Sequence, residues 1–202
     1  MKEEFGFDSF LEGQHESLQV LLEKEESALL VLATGGGKSL VYQYAALFAG
    51  RALVVVVTPL ISLMTDQLNK LPDCLRGACL NSYQTAKQKS EIMGAVRRGA
   101  VDVLYVSPER LVVEDLTTFG RDISFFCVDE VHCATEWSHC FRPSFLKLNE
   151  IIFSRFRCRR VLGLTATATK QTENALKELF YFQHVFRCKD LSRINLSLSI
   201  TR

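Results

Sequence analysis

Short, nearly unbroken apolar runs alternate along the chain with longer stretches in which apolar residues recur every three or four positions. The runs Ala28–Leu32, Ala52–Val57, Val101–Val106, Ile123–Val128 and Arg160–Leu164 are rich in β-branched and aromatic residues, and Ala78–Leu80 is a shorter one. A parallel strand covered by helices on both faces buries both of its side-chain rows, so the usual in–out alternation disappears. This pattern predicts strands over all six runs. A helical period predicts helices over Gln14–Lys24, Ser39–Phe48, Leu60–Leu71, Thr85–Arg98, Pro108–Leu116 and Thr169–Phe180. In the fourth of these, Ile92, Met93 and Val96 share one face while Lys87, Lys89, Glu91 and Arg97 fill the others. Strands alternating with helices imply an α/β fold with a doubly wound, mostly parallel sheet and helices on both faces. Beyond Phe186 the pattern changes, because Leu196, Leu198 and Ile200 alternate with polar residues, as in a half-buried strand. The chain therefore reads as one domain over residues 1–186, then a linker and the start of another unit over 187–202.

Composition narrows the picture only a little. A chain of 202 residues that is 48% hydrophobic and 23% charged suits one globular domain with a full core. A net charge of +1 lacks the basic footprint of many nucleic-acid binders, so any such contact must rest on local residues. The run Arg155–Arg160 is the strongest basic patch, readable as a solvated loop or as a DNA contact. The seven cysteines are irregularly spaced with no CxxC pair, which speaks against a disulfide framework and for a reducing compartment. His132, Cys133, His139 and Cys140 cluster, but without the paired short spacings of zinc modules. Met1 to Asp8 is charged, unlike a signal peptide, and the apolar runs are too short to span a bilayer, so no membrane partner is expected.

Chemistry enters where the first strand runs into Ala33-Thr34-Gly35-Gly36-Gly37-Lys38-Ser39 and a helix follows. Glycines let the backbone curl so that successive N–H groups point at a phosphate chain, and the helix adds its positive end. Lys38 supplies a point charge for the β and γ phosphates of ATP, and the Ser39 hydroxyl is a ligand for Mg²⁺. Strict versions of the pattern place a glycine where this chain has Leu32. A second feature, Phe125-Phe126-Cys127-Val128-Asp129-Glu130, is an apolar strand ending in two carboxylates. Carboxyl ends of parallel strands are where ligands bind. Asp129 is placed to hold the metal, and Glu130 to orient and activate an attacking water.

At Asp129-Glu130-Val131-His132 the sequence resembles the DExH helicases of superfamily 2, and the following residues make the resemblance specific. Cys133 to Pro143, with Trp137, His139, Phe141 and Arg142, is similar to the aromatic-rich loop that distinguishes RecQ helicases. Phe5-Gly6-Phe7 with Phe10 and Gly13-Gln14 resembles that family's adenine-reading segment. Thr58-Pro59-Leu60-Ile61-Ser62 through Gln67 resembles motif Ia, and Tyr105 through Leu111 motif Ib. Leu164-Thr165-Ala166-Thr167-Ala168-Thr169 resembles motif III. The chain is identified as a member of the RecQ family over nearly its whole length, most like the Rothmund–Thomson-type branch.

The resemblance implies a RecA-like fold and the first motor domain of an ATP-dependent 3′–5′ DNA helicase serving replication, repair and recombination. It implies that Phe7 and Gln14 hold adenine, that Thr34, Gly35, Gly36, Gly37, Lys38 and Ser39 hold the phosphates, and that His132 joins the catalytic set. Pro59, Ser62, Ser107, Pro108, Trp137, His139, Phe141 and Arg142 are implied to contact DNA, and Thr165 and Thr167 to couple nucleotide state to the domain interface. It also implies a nuclear location and a second RecA-like domain in cis carrying an arginine finger, without which residues 1–202 would hydrolyse ATP poorly. Departures are Leu11-Glu12 where the family has Arg-Pro, Val131 for alanine, and Ala45 and Ile194 for prolines. The competing reading is a nucleic-acid-binding scaffold with a vestigial ATPase. Intact Lys38, Ser39, Asp129 and Glu130 argue for the motor.

Overall fold

A computed structural model describes residues 5–114, 120–135 and 143–188. Among them, β1 (Ala28–Val31), β2 (Leu53–Val57), β3 (Gly77–Leu80), β4 (Val103–Val106), β5 (Ile123–Val128), β6 (Val161–Thr165) and β7 (His184–Arg187) form one sheet. Its order is β3-β4-β2-β5-β6-β1-β7, and every pairing is parallel. The α/β, doubly wound architecture expected from the apolar runs is the one observed.

The helices are α1 (Gln14–Gln19), α2 (Lys38–Phe48), α3 (Ile61–Asn69), α4 (Ala86–Arg97), α5 (Pro108–Val113), α6 (Pro143–Asn149) and α7 (Lys170–Phe180). Successive residues of a strand point to opposite faces, and the core divides accordingly. Ala28, Leu30, Val54, Val56, Tyr105, Phe125 and Cys127 face a layer built from α1, α2 and α3 through Leu18, Val41, Tyr42, Ala45 and Met64. Leu29, Val31, Val55, Val57, Phe126 and Val128 face the other layer, where α4 to α7 contribute Met93, Val96, Leu111, Phe145, Leu148, Leu176 and Phe180. Close packing leaves little room at Gly163 in β6, where a Cβ would lie 2.5 Å from the Phe182 ring.

Three departures separate the observed elements from the predicted ones. The segment Gln14–Lys24 is not one α-helix, because α1 passes into a wider π-helical stretch, Val20–Lys24. A similar stretch, Glu150–Arg155, follows α6, which lay outside the predicted helices. An i→i+5 turn breaks the 3.6-residue period on which the prediction relied. Strand β7 was also not predicted. It is an edge strand, half-buried throughout, with polar residues at both ends. The basic run ends in local contacts, since Arg155 donates to the Val112 and Glu114 carbonyls and Arg160 pairs with Glu25.

All strands run the same way, so every loop that follows a strand opens on one edge. That edge carries residues 33–37 after β1, Thr58 to Leu60 after β2, Ser107 after β4, Asp129-Glu130 after β5 and the threonines after β6.

Candidate active site

The loop from Ala33 to Gly37 is shaped by its glycines. Gly35 and Gly37 have φ of 83° and 75°, the left-handed region that side chains rarely enter. A Cβ on Gly36 would lie 2.8 Å from Leu32 Cγ and 3.0 Å from the Ala33 carbonyl, so only glycine fits between them. Gly37 caps α2, and Lys38 and Ser39 open that helix. The Lys38 ammonium donates to the Leu32 carbonyl at 3.0 Å, crossing the mouth of the loop.

Gln14 sits beneath this loop and is 1% exposed. Its Nε2 donates to the carbonyls of Gly36 and Gly37 at 3.0 and 3.1 Å, and its Oε1 accepts from the Leu11 N–H at 2.8 Å. The side chain expected to read adenine also straps the phosphate loop, with both ends of its amide engaged. Phe7 is exposed, as are Thr34 and Gly35.

Asp129 and Glu130 sit two strands away from the loop, with β6 between β5 and β1. Asp129 is buried, its Oδ1 accepting from the Glu130 N–H at 3.0 Å and its Oδ2 from Gln67 Nε2 at 3.3 Å. Burial, and then the neighbouring Glu130 charge, push its carboxyl above the ordinary aspartate value, while Lys38 pulls the other way. Glu130 has φ 48°, a strained conformation for a side-chain-bearing residue that turns the chain sharply into a 3₁₀ turn, Val131–Ala134. A hydrogen bond from His132 holds Glu130 below the ordinary glutamate value, and Lys38 contributes in the same direction. Lys38 therefore acts electrostatically on both carboxylates.

His132 closes the group. Its Nδ1 lies 3.3 Å from a Glu130 carboxylate oxygen and 3.0 Å from Thr165 Oγ1. Thr165 donates its single hydroxyl hydrogen to the Thr167 carbonyl at 2.9 Å, so it must accept from His132, and Nδ1 carries a proton. The Cys133 sulfur, 3.8 Å from Nε2, together with the Glu130 carboxylate, lifts the imidazole from its ordinary value to about 10. Thr165 ends β6 between the two halves of the site, and neither it nor Thr167 caps the next helix, because Thr169 does.

Among the residues expected to touch DNA, Ser62 is exposed near the start of α3, whereas Pro59, Ser107 and Pro108 are buried. Ser107 caps α5 by accepting from the Arg110 N–H, and Pro108 is that helix's first residue. Trp137, His139, Phe141 and Arg142 lie outside the described residues. Two residues given no role from sequence join the site, Gln67 on α3, which closes the motif Ia segment, and Tyr42 on α2, whose hydroxyl donates to Gln67 Oε1 at 3.0 Å. The available signal was a tyrosine and a glutamine on otherwise apolar helix faces.

Comparison with known proteins places this geometry in context. The DEAD/DEAH box helicase model matches residues 12–175. The chain is 43% identical to ATP-dependent DNA helicase Q-like 5 of Arabidopsis thaliana over 85% of its own length and 19% of that protein's. It is 41% identical to ATP-dependent DNA helicase Q4 of Mus musculus, covering 98% of the chain and 17% of the relative. It is 34% identical to ATP-dependent DNA helicase RecQ of Bacillus subtilis, again over 98% of the chain, and 34% of the relative. The chain thus spans about a third or less of these proteins. Among solved structures, the fold superposes on the DUF1998 helicase MrfA with a TM-score of 0.71 at 14% identity, covering 91% of the chain and 31% of that one. The Hef helicase domain of Pyrococcus furiosus gives 0.65 at 19% identity, with 88% and 37% covered.

Proposed function

This chain belongs to the DEAD/DEAH box helicase family, and we propose that it acts as the first motor domain of an ATP-dependent DNA helicase of the RecQ type. One observation carries this reading. Lys38 and Ser39, after β1, and Asp129 and Glu130, after β5, open at the same sheet edge on either side of Thr165, and Lys38 acts on both carboxylates.

The donor set fits magnesium-bound ATP. Ser39 and Asp129 offer a hydroxyl and a carboxylate, the hard oxygen donors that Mg²⁺ takes, and a buried Asp129 beside Glu130 gains from a cation. The glycine loop and Lys38 suit a triphosphate. Bound ATP would supply the phosphoryl group and the metal would offset its charge.

Within this frame the chain's own residues divide the work. Gln14 holds the phosphate loop in shape, and Phe7 offers an exposed ring for the base. Glu130 orients the attacking water as base. His132, protonated on Nδ1 and bonded to both Glu130 and Thr165, ties that base to the segment through Thr167. Ser62 and the backbone around Pro59, Ser107 and Pro108 position DNA phosphates without reading sequence. Trp137 and Phe141 stack on bases, and His139 and Arg142 sense the strand.

We further propose a second RecA-like domain in cis that begins within residues 187–202 and brings an arginine finger, worth on the order of 10³–10⁵ in rate. A nuclear location and a role in DNA repair and recombination, with 3′–5′ polarity, belong to the same reading. The test is ATPase activity stimulated by single-stranded DNA, measured on residues 1–202 and on a chain extended through the second domain. Slow turnover by the first and stimulated turnover by the second, abolished by Lys38→Ala and Glu130→Gln, is expected. Turnover in the extended protein that ignores DNA and both substitutions would leave the scaffold reading instead.

A further inference from the structure

Asp129 is reached from the opposite side by a chain of polar side chains that crosses the core layer beneath α2 and α3. The Tyr105 and Tyr42 hydroxyls lie 3.2 Å apart, the Tyr42 hydroxyl donates to Gln67 Oε1 at 3.0 Å, and Gln67 Nε2 donates to Asp129 Oδ2 at 3.3 Å. An ionised carboxylate only accepts, which fixes the Gln67 amide with its nitrogen toward Asp129 and its oxygen toward Tyr42. The Tyr42 hydrogen is then committed to Gln67, so Tyr105 is the donor to Tyr42. Burial raises Tyr42 well above the ordinary tyrosine value and Tyr105 to about 12, so both remain donors at neutral pH. One buried relay therefore joins the expected magnesium ligand Asp129, through Gln67, to α3 and to Tyr42 of α2, the helix that Lys38 and Ser39 open.

That helix begins immediately after the loop at the end of β2, and its exposed Ser62 lies five positions before Gln67, roughly 7.5 Å along the axis. Met64, fully buried, seats α3 on the sheet between these two residues. A helix of nine residues seated on the sheet moves as a unit, so a displacement at its Ser62 end would reach Gln67.

We propose that Gln67 is a positioning residue that transmits DNA engagement at the start of α3 to the Asp129 carboxylate. This route rests on the helicase reading above. Gln67 sets the orientation of the Asp129 carboxylate according to whether α3 is held by a strand.

The experiment measures binding of a fluorescent ADP to the 202-residue chain as Mg²⁺ is varied, with and without a single-stranded thymidine 12-mer. Wild type, Gln67→Ala, Gln67→Glu, Tyr42→Phe and Lys38→Ala are compared. In wild type the oligonucleotide lowers the Mg²⁺ needed for half-maximal binding. Gln67→Ala abolishes that shift and itself raises the requirement about tenfold, the scale of a lost hydrogen bond to a charged group. Gln67→Glu is worse, because a second carboxylate faces Asp129. Tyr42→Phe, which keeps the packed ring, loses part of the shift. Hydrogen exchange in the nucleotide-free chain gives an independent readout: the oligonucleotide slows exchange around Val128 to Val131 in wild type and has no effect there in Gln67→Ala. An equal DNA-induced shift in wild type and Gln67→Ala overturns the proposal, as does its absence from wild type. Nucleotide binding indifferent to Lys38→Ala instead overturns the helicase reading beneath it.

Discussion

Replacing Gln14 with alanine removes the strap that holds the phosphate loop from below. Two bonds reach the loop, from Nε2 to the Gly36 and Gly37 carbonyls at 3.0 and 3.1 Å. A neutral hydrogen bond in a folded protein nets about 1 kcal/mol, so the pair contributes about 2 kcal/mol, or about 30-fold in affinity for any ligand that needs the loop in this shape. The strap acts on the loop itself, so its loss should fall equally on every ligand bearing a triphosphate. Gln14→Glu keeps the size but, ionised, points oxygen at two carbonyl oxygens and has no hydrogen to donate, which is worse than alanine. Calorimetric titration with ATP, GTP and inorganic tripolyphosphate, each with Mg²⁺, separates the possibilities. All three are expected to weaken alike in Gln14→Ala, by up to about 30-fold, and further in Gln14→Glu. If only ATP weakens, Gln14 reads adenine and the strap reasoning is wrong.

Gly36→Ala places a Cβ 3.0 Å from the Ala33 carbonyl, which is backbone and cannot swing away. The same titration should show lost binding while the thermal unfolding curve stays near wild type, and normal binding would contradict the loop geometry. Gly163→Ala puts a methyl 2.5 Å from Phe182 Cζ and 3.1 Å from Leu29 Cδ1, inside the core. Overpacking of this kind costs about 1–3 kcal/mol, readable by denaturant unfolding, and an unchanged midpoint would refute the packing described. His132 has its folded value raised from 6.5 to about 10. The stability it contributes is complete below about 6.5 and is lost as pH rises through about 10. The melting-temperature advantage of wild type over His132→Gln should shrink across that window, and a constant gap would show that the Glu130 and Cys133 contacts do not hold the proton.

Much of this architecture was legible because burial on both faces leaves a plain mark. Leu53 to Val57 is apolar without interruption and became the fully buried strand β2, with Val54 and Val56 packed on one layer and Val55 and Val57 on the other. Edge strand β7 carries no such mark, since one neighbour and half-burial suffice for His184-Val185-Phe186-Arg187. Motif spacing located the loop around Lys38 and the Asp129-Glu130 pair, because strand order and the parallel sheet bring strand ends to one edge. Side-chain direction was not legible. Ser107 followed by Pro108 is also a helix-start signature, and the structure uses it so, burying the hydroxyl as a cap. Gln14 and Gln67 each use both ends of an amide, and which partners they choose depends on residues distant in sequence.

The account depends on Lys38 and Asp129 serving a single magnesium–nucleotide complex, and a double-mutant cycle on ATP affinity at saturating Mg²⁺ tests that most directly. Groups that share one ligand are expected to couple by about 0.5–3 kcal/mol. Lys38→Ala and Asp129→Ala should each weaken binding, and the double variant should be scarcely weaker than the worse of the two. Losses that simply multiply would mean that the lysine and the aspartate act on separate sites.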